Sequence, residues 1–314
     1  MMKSKFFEII KEQTEYRHVF IKDIRPPNGG ICIQIKNNMV SNVYKGNGWI
    51  HPKRTIQYVT LIKNMLEKYQ LKDCNVNINL VDHPIPGYLN FCRKQGDNKS
   101  FLIPTFRFTL DDIITNDDGS SMNNYDDIKK HIHNFNMKIH TKINKFYTSS
   151  IPHQAKKNLL MYAANNPDIC HVNAYIGTVH GKLTLGQNDC LTLSKVNMLN
   201  TEFIPFTEHC KYKYVVYNDG NSLSDRMRLL LLTNSVIIKQ QTPYEEFFWY
   251  MLQNKENYIE YTNTDEIRTI HEYLENNPEL CNKIIQKNTD FVNEYLTYDE
   301  ILLYTCELLD ALTN

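Results

Sequence analysis

Residues 211–240 read "KYKYVVYNDGNSLSDRMRLLLLTNSVIIKQ", two β-rich runs separated by a polar turn and a leucine-rich stretch. Their patterning predicts a strand over 211–218, a helix over 224–232 and a second strand over 235–240. Strand, helix, strand in that order argues for α/β layers with a largely parallel sheet. Thr242, Pro243 and Glu245 then fit the first positions of a capping box and predict another helix. Thr297 with Glu300 predicts a last one, with Ile301, Leu302, Leu308, Leu309 and Leu312 on its apolar face. The first half repeats the alternation. "GGICIQIKNNMVSNV" reads as a hairpin entered from the Pro-Pro-Asn-Gly-Gly turn at 26–30. Ile56, Val59, Ile62, Leu66 and Tyr69 give 55–69 helical spacing, and Val76, Ile78 and Leu80 alternate with asparagines in a strand that stops at Asp82, His83 and Pro84. Both halves therefore read as α/β layers with a largely parallel sheet.

A length of 314 residues suggests two domains of about 150 residues. Thirty-five Lys plus Arg balance thirty-five Asp plus Glu, which argues against a nucleic-acid partner: a general phosphate-backbone binder carries a basic surplus. An anionic ligand must be met by local charge. The start, "MMKSKFFEIIKEQTEYRHVF", has no apolar leader core, and no apolar run reaches the roughly 18 residues of a membrane span. The expectation is a soluble, cytoplasmic protein without a transmembrane segment. Cys32, Cys74, Cys92, Cys170, Cys190, Cys210, Cys281 and Cys306 form no C-x-x-C pair, so neither a zinc ribbon nor a disulfide scaffold is expected. His131, His133 and His140 lack a neighbouring Cys or paired acid and read as a solvated face; no metal site is expected. Residues 111–125 read as a surface loop.

The turn at 218–224 sits beyond the carboxyl end of a strand, where α/β sheets collect their ligands and where a helix amino terminus offers N–H groups to a phosphate. Ser224 would cap the helix or bond a ligand oxygen, Arg226 and Arg228 would bring fixed cations, and Asp219 should point away. One glycine, Gly220, is no phosphate-loop fingerprint. By itself the stretch suits an anion site and an ordinary turn with surface arginines equally well.

The run from His209 onward resembles glycosyltransferase family 90, which includes protein O-glucosyltransferases and capsule-associated xylosyltransferases. The shared features are K-Y-K-Y (Lys211 to Tyr214), Gly220 followed four residues later by S-x-R (Ser224, Arg226), S-V-I-I-K (Ser235 to Lys239) and E-F-F (Glu246 to Phe248). "KENYIEY" is similar to the family's H-Y-I-P-V, with Asn257 for its histidine. In the first half, "NINLVDHPIPGYL" and "FLIPTFRF" resemble the family's D-x-P and I-P-x-F-x-F. The resemblance is specific over 209–309, fair over 72–112 and faint elsewhere.

It implies a GT-B fold of two Rossmann-like domains facing across a cleft: an acceptor-side domain at 1–142, a nucleotide-sugar-binding domain at 143–295 and a C-terminal helix at 296–314 returning to the first domain. It implies inverting transfer of a hexose or pentose, glucose or xylose favoured, from a UDP-sugar donor to a hydroxyl of a glycan or protein acceptor. Asp82 falls at the family's catalytic aspartate. Ser224, Arg226, Gly220, Ser149, Lys156, Glu246 and Lys239 would bind the donor, with Glu246 on the ribose. The chain has no D-x-D motif, so metal-independent chemistry with no cofactor is expected, charge on the leaving UDP being met by fixed donors. One departure stands out. The family's F-R-G-S and T-S-x-x-R correspond to "KFYTSSIPHQAKKNLLMY", where Tyr147 and Thr148 replace Arg-Gly and no arginine follows; Ser149, His153 or Lys156 would have to substitute. The departure motivates an alternative, a catalytically silent nucleotide-sugar fold serving as a binding or assembly partner. A different transferase or phosphorylase on the same scaffold is the other. Abundant Asn, Ile, Lys and Tyr fit an AT-rich genome, in keeping with a viral protein acting in host cytoplasm.

Overall fold

In a computed structural model of the chain, the described residues are 4–15, 23–109, 111–115, 121–122, 124–150, 156–175, 178–179, 182–183, 187–200, 204–220 and 222–313. They form two compact units. The first comprises 1–128, 243–251 and 294–314, and the second 129–242 and 252–293. The excursion at 243–251 thus belongs to the first unit, although its neighbours in sequence on both sides belong to the second.

The second unit carries the parallel sheet that the strand–helix–strand pattern requires. Its strands are Ile143–Ser150, Cys170–Tyr175, Leu199–Asn200, Tyr212–Tyr217, Val236–Gln240 and Tyr258–Tyr261. Numbered along the unit they lie in the order 3-2-1-4-5-6, every neighbouring pair parallel. This is the doubly wound order, whose direction of winding reverses between the first and fourth strands. One face of the sheet presents Phe146, Val172, Tyr214, Val216, Val236, Ile238 and Ile259. They are buried against Leu159, Leu160 and Ala163 of the helix Lys157–Asn165, Ile267 and Leu274 of the helix Glu266–Glu275, and Ile284 of the helix Pro278–Tyr295.

The first unit departs from the expectation of a parallel sheet. The five strands of its main sheet lie in the order Met39–Lys45, Gly30–Lys36, Cys74–Asn79, Leu89–Asn90, Phe101–Leu102. Asn37 and Asn38, at φ 52° and 57°, close a two-residue hairpin of the type that tolerates left-handed backbone at both positions. The helix Pro52–Lys68 then returns the chain so that Cys74–Asn79 runs in the sense of Met39–Lys45 and antiparallel to the strand it actually pairs with, Gly30–Lys36. Only the last two pairings are parallel. The helix buries Tyr58, Leu61, Ile62, Met65 and Leu66, a face rotated from the expected one, with Ile56 59% exposed. The final helix, Tyr298–Thr313, starts as expected: Glu300 N–H donates to Thr297 Oγ1 at 3.2 Å, and Ile301, Leu302, Leu308, Leu309 and Leu312 are all buried. The stretch read as a loop at 111–125 contains a short antiparallel ladder, Asp111–Thr115 with Ser121–Met122. Both units are thus α/β.

Candidate functional site

The turn after the fourth strand of the second unit lies at the reversal of winding, beside the end of the first strand. It is anchored by Tyr217, whose fully buried hydroxyl donates to the Ser224 carbonyl at 2.8 Å and accepts from the Ser224 N–H at 3.1 Å. The turn is thereby folded back over the strand that it leaves. Asp219 accepts from Thr242 Oγ1 and lies 3.4 Å from the Tyr217 hydroxyl. Burial lifts its carboxyl above the usual carboxylate range, opposed by Thr242, by the Lys239 charge, by Tyr217 and by the Ser224 N–H. It is held inward, as an acid beside an anion site must be.

Arg226 donates from Nη1 to the carbonyl of Ser149, at the end of the first strand, so one guanidinium bridges the two strands between which the winding reverses. Lys156, the residue before the helix Lys157–Asn165, is buried. Its ammonium is pushed down to about 7, chiefly by burial and then by the Arg226 charge, with Asp219 and Asp225 opposing. His209 is buried beneath them and pushed down to about 3, again by burial first and Arg226 second. It is therefore neutral. Its Nδ1 must carry the hydrogen that meets the Phe206 carbonyl at 2.8 Å, and Nε2 has no hydrogen-bond partner among the described residues. Tyr147, the residue standing where the family has arginine, stacks on Tyr212 at 4.2 Å and accepts from Asn173 at 2.7 Å. A bulky buried aromatic fills the position.

Several expectations need correction. The helix after the turn is a single turn, Met227–Leu230, with Arg226 rather than Ser224 at its start and no side-chain cap, so a helix terminus contributes little positive potential. Arg228, for which a ligand-facing cation and a surface side chain were both open, is fully buried. Gly220 has neither a left-handed backbone nor a crowded one: a Cβ there would meet nothing within 4 Å. The Lys239 ammonium lies 2.9 Å from Glu260 and 4.9 Å from the centre of the Tyr258 ring, a structural placement. Ser235 bonds the Tyr212 carbonyl at 2.7 Å and receives Lys142 at 2.9 Å. The helix expected from Thr242 is absent, because its capping groups are used elsewhere: Thr242 bonds Asp219, and Glu245 receives Arg93 Nε at 2.7 Å while Tyr244–Glu245 pairs with Arg93–Lys94. Glu246 is consequently not on a helix face. It is buried in the first unit and accepts from the Trp249 indole at 2.8 Å. His153 lies outside the described residues.

In the first unit, Asp82 follows the strand Cys74–Asn79 at its carboxyl end. Two buried asparagines build its loop. Asn79 donates to the His83 carbonyl at 2.7 Å and to Asn90 Oδ1 at 2.8 Å, and it accepts from the Val81 N–H at 3.0 Å. Asn90 accepts from the Ile85 N–H at 2.8 Å and donates to the Ile85 carbonyl at 3.0 Å. Arg54, from the first turn of Pro52–Lys68, donates to Asp82 Oδ1 at 2.7 Å and to the Leu80 carbonyl at 2.5 Å. The carboxylate, 36% exposed, is thus both oriented and open to solvent. Asn79, Asn90, Arg54 and Tyr217 were not singled out from the sequence. The visible signal was polar residues within strands otherwise patterned for burial.

Comparison with known proteins adds the wider context. The model of glycosyl transferase family 90 matches residues 28–314. The O-glucosyltransferase rumi of Drosophila melanogaster is 25% identical over 167 residues, 52% of this chain and 38% of that protein. Protein O-glucosyltransferase 1 of Homo sapiens is 26% identical over 107 residues, 34% of this chain and 27% of that protein. The chain spans well under half the length of these curated relatives. Among solved structures, a glycosyltransferase from Rickettsia africae aligns at a TM-score of 0.43 and 9% identity, over 60% of this chain and 52% of that one. Anabaena Alr3699/HepE, in complex with UDP and glucose, aligns at 0.41 and 10%, over 59% and 52%.

Proposed function

Because the chain belongs to glycosyl transferase family 90, we propose that it moves one sugar, glucose or xylose, from a UDP-sugar to a hydroxyl of a glycan or protein, with inversion and without a metal. The observation carrying this reading is the Arg226 bridge to Ser149 beside buried Lys156, two cationic groups converging where a doubly wound sheet reverses. Arg226 and Lys156 would hold the diphosphate, with the Ser224 hydroxyl and Ser149 at its edge and open space above Gly220 for the ligand. In the first unit Asp82, oriented by Arg54, would take the proton of the acceptor hydroxyl as it attacks the anomeric carbon. Glu246 and Lys239 have structural tasks in this scheme. Eight free thiols suit action in a reducing cytoplasm, that of the host if the protein is viral.

The test is release of UDP from UDP-glucose, UDP-xylose and UDP-galactose by EDTA-treated protein. Release from one sugar at an undiminished rate supports the reading. A strict requirement for Mn²⁺ contradicts metal independence, and tight binding with no turnover would indicate a silent binding fold.

Lys156 gives the reading a pH signature. In the free protein at pH 8 its amine, with its pKa near 7, is mostly neutral, whereas a bound diphosphate favours the ammonium. The complex then holds more protons than the free protein, so affinity falls as pH rises through about 7 to 9. Calorimetry of UDP-glucose binding at pH 8 in buffers of different ionisation enthalpy should show uptake of about one proton. Uptake should vanish in Lys156→Met and at pH 5.5, where the lysine is already charged.

A further inference from the structure

The chain has two tryptophans. Trp249 is buried, and its indole N–H is bonded to Glu246. Trp49 is 72% exposed, an unusual position for the side chain with the most apolar area to hide. Its loop is not slack. The Gly29 N–H donates to the Asn47 carbonyl at 2.7 Å and the Gly46 N–H to the Gly30 carbonyl at 2.9 Å. Gly48 has φ 81°, and a Cβ on Gly46 would lie 1.9 Å from the Pro27 carbonyl oxygen. These glycines clamp the indole out in water.

The clamp also brings the Trp49 backbone close to the segment that carries Asp82. A Cβ on Gly29 would be 2.5 Å from Val81 Cγ1, adjacent to Asp82, and 3.5 Å from the Trp49 carbonyl oxygen, so the two segments pack on one point. From the other side, Trp49 meets the His51 ring edge-on at 5.2 Å. His51 Nδ1 accepts from the Arg54 N–H at 3.5 Å, and the Arg54 guanidinium grips Asp82. The result is a flat apolar surface bordered by groups that donate and accept hydrogen bonds, within the same small region as the carboxylate. A pyranose has the matching pattern, with a face of C–H groups and hydroxyls around its edge.

We propose that Trp49 is a platform for a sugar ring of the acceptor, so that the hydroxyl presented to Asp82 belongs to a carbohydrate. The proposal rests on the reading of Asp82 as the base, and it extends that reading to the acceptor's chemical class.

Because one tryptophan is exposed and the other buried, iodide quenching of fluorescence reports on Trp49 alone. Methyl β-glycosides of glucose, xylose and galactose are the probes, each added to the full chain with UDP present. At least one glycoside should shield Trp49 from iodide, in the wild type and in Asp82→Asn alike. Trp49→Ala should raise KM for transfer to that glycoside by about tenfold, with kcat and hydrolysis of the UDP-sugar by water unchanged, and Trp49→Phe should restore it. Shielding by no glycoside, or transfer only to a serine- or threonine-containing peptide with Trp49→Ala unaffected, overturns the proposal. If Asp82→Asn remains active while shielding persists, the base assignment fails and the platform stands.

Discussion

Asp82→Asn should abolish transfer, lowering kcat by about 100- to 10,000-fold, while UDP-glucose binds as to the wild type. The substitution keeps the shape and removes only the ability to take a proton. Arg54 Nη2 at 2.7 Å still finds an oxygen acceptor in the amide, and the Asn79 and Asn90 bonds that shape the loop use backbone groups other than the Asp82 carboxylate. The pair is partly solvent-exposed, 18% at Arg54 and 36% at Asp82, so its loss should cost no more than about 1 kcal/mol of stability. Thermal unfolding of the variant therefore separates the two explanations of inactivity. An inactive protein that melts with the wild type has lost its base, and one that melts far earlier has lost its loop. Turnover within a few-fold of wild type would remove Asp82 from the mechanism.

How far the sequence alone leads can be followed residue by residue. Hydrophobic patterning located two of the six strands of the second unit's sheet, Tyr212–Tyr217 and Val236–Gln240, and left the other four unread. The last helix was legible because the Thr297 half of its cap forms, the Glu300 N–H donating to Thr297 Oγ1, although the Glu300 carboxylate is taken by Ser4 and Lys5. Thr242 and Glu245 carried the same pattern and formed no helix, because Asp219 and Arg93, distant in sequence, claim both side chains. A capping box states a local preference, and tertiary bonds to buried charges outweigh it. The direction of Cys74–Asn79 was hidden for a different reason. The Asn37–Asn38 hairpin is readable, but which neighbour the returning strand chooses is not a local property.

The candidate site was legible in outline and obscure in its supports. Arg226 and Asp82 stand in recognisable strings. Lys156 was named only as a replacement for a missing arginine, and it proves to be buried, its ammonium lowered first by that burial and then by the Arg226 charge. Glu246 and Lys239 match the family string, yet one is tied to Trp249 and the other to Glu260. Motif membership is therefore compatible with a purely structural task. Asn79 was read as the polar half of a strand's alternation, and Asn90 was not singled out. In the fold they are the framework of the Asp82 loop, satisfied internally as buried amides must be.

The second large effect concerns Arg226, on which the donor site depends. Arg226→Ala should weaken UDP-glucose binding by about 10- to 100-fold, the loss of one or two charge-assisted hydrogen bonds. Arg226→Lys should recover only a part, since a single ammonium cannot both donate to the Ser149 carbonyl and present a planar fork to the diphosphate. Because the Arg226 charge helps to hold Lys156 down, its removal should move proton uptake to higher pH. The exposed Arg268, which pairs with Asp168, serves as a control: Arg268→Ala should bind UDP-glucose normally.

Calorimetric titration of the wild type and Arg226→Ala with UDP-glucose, at pH 6 and at pH 8, tests the central claim most directly. If the turn at the winding reversal holds the donor diphosphate, the wild type binds more tightly at pH 6, and Arg226→Ala is weaker at both pH values. Equal affinity in the two proteins would place the donor elsewhere on the chain, and the account of this turn would fall with it.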